Sequence, residues 1–252
     1  MAATALCSAM LLNPQAASAQ QTIESLGLTV TTTPALTTNY LFRGISQTRN
    51  KPAGQVTIDV EHSSGFYIGA FVSNATFPNT NLRQEVDGSI GYRFSIGDLK
   101  LDLGGTYFGY PGYDSTYSGG FDWSWYELTA RASYEIAPVK FVGMFSWSPN
   151  FNFESGNAYY VEGGFDMTLD FGITLAARAG YQWIEYNTSS PANHGAFGTP
   201  DYAVFTVAAS REIVGGIIGT LGASITTLSN NECFGGTKLC GNRVLFTLSR
   251  PF

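Results

Sequence analysis

Residues 85–102 read Glu85-Val86-Asp87-Gly88-Ser89-Ile90-Gly91-Tyr92-Arg93-Phe94-Ser95-Ile96-Gly97-Asp98-Leu99-Lys100-Leu101-Asp102. Val86, Ile90, Tyr92, Phe94 and Ile96 alternate with Glu85, Asp87, Ser89, Gly91, Arg93 and Ser95. This is the period-2 pattern of a strand whose two faces meet different surroundings. Gly97-Asp98 fits a two-residue hairpin turn, which pairs Ile96 with Leu99 and sets Arg93 opposite Asp102. The same arithmetic at Ala137-Pro138 places Glu135 opposite Lys140. A three-residue turn near Phe171-Gly172 leaves Asp166 diagonal to Arg178. Each opposite-charge match falls on the polar face, where a cross-strand pair contributes roughly 0.2–1 kcal/mol.

The pattern recurs along the chain. Val56, Ile58 and Val60 alternate with Gln55, Thr57, Asp59 and Glu61; Tyr126, Leu128 and Ala130 alternate with Glu127, Thr129 and Arg131; Tyr159, Val161 and Phe165 alternate with Glu162, Gly164 and Asp166. Strands are expected near 36–48, 53–62, 66–75, 84–96, 99–110, 123–136, 139–148, 158–170, 173–185, 201–212, 217–228 and 243–252. Most approach the ~9–11 residues that a tilted strand needs to cross a bilayer.

Loop lengths sort by parity. The junctions at Ser63-Ser64-Gly65, Gly97-Asp98, Ala137-Pro138, Phe171-Gly172 and Val214-Gly215-Gly216 are minimal. The intervening ones, 76–83, 111–122, 149–157, 186–200 and 229–242, are long and polar, and the first, around 49–52, is modest. Short turns at one end and long loops at the other are the expected topology of an outer-membrane barrel. Tyr107 to Tyr110, Trp123 to Tyr126, Trp147, Tyr159, Tyr160, Tyr181, Trp183 and Tyr202 fall at the long-loop ends. Phe66, Phe94, Tyr134, Phe141 and Phe252 fall towards the short-turn ends. They are expected to form two aromatic girdles, one at each membrane interface.

Composition agrees. Of 252 residues, 13% are charged, 14% are aromatic and 29 are glycine, yet the mean hydropathy is +0.01. An apolar exterior and a polar lumen cancel in such an average. No apolar run approaches the roughly 18 residues of a membrane helix. A closed sheet is then the remaining way to satisfy every backbone hydrogen bond in hydrocarbon. The expected fold is therefore all-β, an up-and-down antiparallel transmembrane β-barrel of about twelve strands. A secreted soluble β-sandwich is the competing reading, and it gives no reason for loops sorted by length.

Residues 2–12 are apolar and Ala17-Ser18-Ala19 is a small-x-small cleavage site, so 1–19 reads as a cleaved signal peptide and 20–252 as the barrel. Cys7 would leave with the signal. Cys233 and Cys240 bracket a Gly-Gly turn without a nearby histidine, which points to a local disulfide rather than a metal site. At the other terminus, Val244, Phe246, Leu248 and Phe252 share one face of a last strand. A closing aromatic resembles the signal by which the outer-membrane assembly machinery selects its barrels, although Arg250 occupies a slot usually apolar.

If the apolar face meets outer-membrane lipid, the polar face lines the lumen. Ten acids are expected inside: Asp59, Glu61, Glu85, Asp87, Asp102, Glu127, Glu135, Glu162, Asp166 and Asp170. Seven bases oppose them: Arg43, Arg93, Lys100, Arg131, Lys140, Arg178 and Arg243. The pore-lining candidates are Asp59, Glu85, Asp87, Arg93, Asp102, Arg131, Asp166 and Arg178. Of these, Asp87, Arg131, Asp166 and Arg178 lie nearest mid-strand and are expected at a constriction. The acidic excess favours cations in any pore, and the competing reading is that these charges neutralise one another and pack the lumen. No cofactor is implied. The two histidines, His62 and His194, lack motif partners, so no enzyme is expected. An isoelectric point near 4.8 argues against nucleic acid.

The element Tyr40-x-x-Arg43-Gly44-x-Ser46-Gln47 and the hairpin His62-x-Ser64-Gly65-Phe66-Tyr67-x-Gly69 resemble the TorF family of porin-type proteins. Phe71 stands where many members have Trp. The resemblance implies an outer-membrane barrel acting as a channel and carries no particular solute. The functional expectation is thus a bacterial outer-membrane channel for passive diffusion of small hydrophilic solutes or ions. The alternative is a narrow or plugged barrel whose long loops act as a surface receptor or adhesin.

Overall fold

The computed structural model describes residues 21–252; the expected signal peptide and Cys7 lie outside the described residues. Period-2 segments become twelve long strands: β1 (Leu28–Thr37), β2 (Ala53–His62), β3 (Phe66–Asn74), β4 (Gln84–Ile96), β5 (Leu99–Gly109), β6 (Trp125–Ile136), β7 (Val139–Ser148), β8 (Ala158–Thr168), β9 (Thr174–Ile184), β10 (Tyr202–Val214), β11 (Ile217–Thr226) and β12 (Arg243–Ser249). All neighbours are antiparallel and follow chain order, and β1 closes the ring by pairing with both β2 and β12. The short strand Gln21–Ile23 continues the β1 edge at the short-turn end.

The hairpin arithmetic holds. Ile96 pairs with Leu99, Arg93 with Asp102 and Glu135 with Lys140. Asp166 pairs with Ala176 while Arg178 pairs with Gly164, which makes the two charges diagonal. The faces also separate as the alternation requires. Val86, Ile90, Tyr92 and Ile96 are exposed on the outside, whereas Glu85 and Asp87 are 1% and 3% exposed inside. Leu103, Leu128, Phe145, Val161, Phe205, Leu221 and Phe246 extend the apolar exterior around the ring. This inverts the partition of a soluble protein, so the β-sandwich reading fails.

Three features differ from the sequence expectation. The first strand is 28–37, not 36–48. Pro34 discourages a strand reading because it cannot donate to a ladder. Here its missing donor faces β12, where Arg250 N–H still donates to the Pro34 carbonyl at 3.1 Å. The first connection is therefore residues 38–52, a long segment that folds into the barrel. The aromatic girdle at the long-loop end is also only partial. Tyr107, Tyr126, Tyr159 and Trp183 face outwards, but Phe108, Tyr110, Trp123, Trp125, Tyr160 and Tyr202 are buried inside. Finally, Asp170 lies in an exposed turn rather than the lumen.

The buried aromatics join residues of the long loops, among them Phe77, Leu82, Phe151, Phe197, Leu228 and Leu239, in one apolar cluster filling the long-loop end. Phe108 and Trp125 stack at 4.3 Å between centroids with an interplanar angle of 8°. Cys233 and Cys240, joined as a disulfide, belong to the same cluster. Towards the short-turn end the interior is polar and charged.

Candidate functional site

The segment after β1 forms a tongue. Leu41 pairs with Ser46 and Phe42 with Ile45, leaving Arg43-Gly44 as a two-residue turn. Both have positive φ, 47° and 81°, as a type I′ turn requires. Polar side chains stitch the stem together. Asn39 Oδ1 accepts hydrogen bonds from Ser46 Oγ and Thr48 Oγ1 at 2.7 and 3.1 Å, and Asn50 N–H donates to Ser46 Oγ at 2.8 Å.

The tongue crosses the lumen and touches walls far apart in the chain. Arg43 donates from Nη1 to Glu127 Oε1 at 2.8 Å and from Nη2 to Glu127 Oε2 at 2.7 Å. Nη1 also donates to Gln182 Oε1 on β9 at 2.8 Å. The guanidinium lies 4.1 Å from the Tyr160 ring centroid and 4.7 Å from that of Phe42. Burial works against the Arg43 charge, but Glu127 more than restores it, so its pKa lies above the ordinary value. Tyr40 Oη donates to Glu85 Oε1 on β4 at 2.7 Å. A Cβ on Gly44 would overlap the Thr226 methyl group, so glycine is needed at this tip for both space and backbone conformation.

Below the tongue, on the β2–β6 wall, lies a connected charge network. Arg93 makes two 3.0 Å hydrogen bonds to Asp59, one of 2.5 Å to Glu61, and an ion pair of 3.6 Å with Asp102. Arg131 pairs with Asp102 at 3.8 Å. Tyr67 Oη donates to Asp102 at 2.9 Å while its ring carries the Arg93 guanidinium at 3.7 Å. The Tyr67 hydroxyl has room because Gly91 and Gly104 present no side chain there; a Cβ on either would overlap it. A second pair, Arg178 and Asp166, stands apart on β8–β9 at 2.5 Å.

The pore-lining candidates therefore divide. Asp59, Arg93, Asp102 and Arg131 come together; Asp166 and Arg178 form their own pair; Glu85 sits under the tongue; Asp87 is buried beside register neighbours Phe71 and Phe108. Of the mid-strand set, Asp166 and Arg178 pair with each other, Arg131 pairs with Asp102, and Asp87 lies between Phe71 and Phe108. What reaches across the lumen is the tongue, bonded to Glu85, Glu127 and Gln182, which the alternation of strands could not reveal. The local signals were Arg43-Gly44, a turn dipeptide, and the adjacent apolar pair Leu41-Phe42, which breaks period 2. Among the described residues no cluster of potential metal ligands occurs.

A bacterial protein family described as being of unknown function (Gcw_chp) matches residues 21–252. No curated protein matches the sequence. A KdgM porin structure is similar at a TM-score of 0.56 and 8% identity, covering 88% of this chain and 98% of that chain. The same KdgM porin in complex with disordered oligogalacturonate gives 0.55 and 8%, over 88% and 97%. A NanC porin gives 0.53 and 10%, over 87% and 97%. At these identities the likeness establishes the shared barrel fold.

Proposed function

The chain belongs to the Gcw_chp family of bacterial proteins of unknown function, and from that premise we propose that it is an outer-membrane channel through which small hydrophilic solutes or ions diffuse. The observation that carries this reading is the partition of the barrel: an apolar exterior around an interior of charged and hydroxylated side chains. A wall with that exterior suits hydrocarbon, and a polar interior is what solutes need. Short turns then face the periplasm and long loops the cell exterior. The TorF resemblance and the fold shared with KdgM and NanC porins support the same assignment. The outer-membrane assembly machinery is the partner this reading supplies for folding, with the apolar face of β12 as the surface it would engage.

The charged candidates are the lumen residues of this channel, and the tongue lies across its path. An acidic oligosaccharide, as bound by KdgM, is not favoured here. Arg43, Arg93, Arg131 and Arg178 each already meet a carboxylate, so no row of unmatched arginines offers itself to an anion. The acidic excess favours cations.

The apolar cluster filling the long-loop end supports the second reading, a plugged barrel displaying loops to a partner. Planar bilayers decide between them. Refolded protein should give stable conductance steps and a cation-selective reversal potential in a salt gradient. A silent bilayer from correctly folded, heat-modifiable protein would remove the channel and leave the receptor.

A further inference from the structure

We propose that the disulfide-closed segment 233–240 is the latch of the tongue: the cross-link holds this loop in the shape that seats residues 45–50, and opening it frees that limb. The geometry stands on its own, while the consequence for permeation rests on the channel reading above. Successive carbonyls of the loop are committed to the tongue or to the wall behind it. Ser46 N–H donates to the Leu239 carbonyl at 3.0 Å and Asn50 Nδ2 to the Lys238 carbonyl at 3.1 Å. Thr226 Oγ1 donates to the Cys240 carbonyl at 2.5 Å, and the Thr226 methyl group is what the Gly44 tip packs against. Arg243 ties the arrangement together, donating to Asn50 Oδ1 at 2.7 Å and to the Lys238 carbonyl. Ile45, Leu239 and both cysteines share the apolar cluster.

The loop contains Gly235-Gly236, both at positive φ, so its uncrosslinked chain has wide conformational freedom. Cross-linking removes part of that freedom before the tongue docks, and a seat shaped in advance binds at lower entropic cost. The cysteines are 0% and 1% exposed, so the bond breaks only after local opening. A dithiol reductant then supplies two electrons, the S–S bond opens to two thiols that take up two protons, and the reductant closes to its own disulfide. The tip is also held by Glu127 and Gln182, and the outgoing limb by Glu85 through Tyr40, bonds that the loop does not supply. Loosening should therefore be confined to residues 45–50.

The test compares folded full-length protein in three forms: oxidised, reduced with dithiothreitol and alkylated, and C233A/C240A. Hydrogen exchange at the Ser46 and Asn50 amides should quicken about tenfold in the two uncrosslinked forms, with β4 amides unchanged. Longer open times should follow in bilayers. Unchanged exchange at Ser46 and Asn50, with quickened exchange in 233–240 alone, overturns the proposal. Quickened tongue exchange in a silent bilayer upholds the latch and removes the channel. Should the double variant fail to fold, the reduced and alkylated protein, already folded before reduction, decides by the same readout.

Discussion

Arg43 and Glu127, 84 positions apart, meet through hydrogen bonds of 2.8 and 2.7 Å with side chains only 2% and 5% exposed. One residue is the tip of the tongue and the other belongs to the β6 wall, so this pair fixes the tongue across the lumen. Removing one member of a buried pair leaves the other charge uncompensated. Glu127→Ala should cost about 3 kcal/mol, and Glu127→Gln less because it keeps an acceptor. Urea unfolding in lipid, followed by gel mobility, measures both. Wild-type unfolding of Glu127→Ala would mean that the pair does not anchor the tongue.

Gly44 is placed at φ 81° with the Thr226 and Val204 side chains against it. Gly44→Ala should cost about 1–2 kcal/mol from the left-handed backbone alone, with crowding added. The effect should be local. Hydrogen exchange of the tongue should rise while the β4–β5 hairpin stays protected, and equal loosening of both would argue against it.

The seam between β1 and β12 has three ladder pairs, and every other strand pair in the ring has at least seven. Phe252 adds two bonds with Thr32, of 2.8 and 3.0 Å. Deleting Phe252 should therefore lower the temperature at which the heat-modifiable band is lost. Phe66→Ala, on the exterior of β3, should shift it less, and an equal shift would argue against the seam as the weak point.

Acid should loosen the contact between the loops 149–157 and 185–201. The backbone N–H of Asn157, and then its side chain, hold the Glu185 carboxyl below the ordinary glutamate range. With the folded value depressed, the stabilisation is present above the unfolded value near 4.5 and is lost as pH falls through the folded one. The protection of the Asn157 amide, measured against its intrinsic exchange rate at each pH, should fall on acidification, and Glu185→Gln should lower it at neutral pH with no further acid response.

Much of the barrel was legible before folding. The alternation in 85–96 assigned inside and outside, and Gly97-Asp98 set the register that brings Arg93 opposite Asp102. The interior was legible only as a list. Arg43 and Glu127 both carried the label inside, yet nothing local said that they meet. Trp125 and Tyr160 had the loop-end position of girdle residues, but their alternation phase put them in the lumen. Pro34 hid the first strand, because its tolerance depends on a seam that exists only after closure.

The sequence by itself determined the strand faces, the hairpin pairings and the division into short turns and long loops. These are properties of residues within one hairpin, governed by period 2 and turn length. The tertiary structure alone decided that residues 38–52 turn inwards and that Arg43 meets Glu127 and Gln182. Those partners lie 84 and 139 positions away. Only ring closure brings β6 and β9 round to face the end of β1, and an alternating pattern gives every inward residue the same label whatever stands across the lumen.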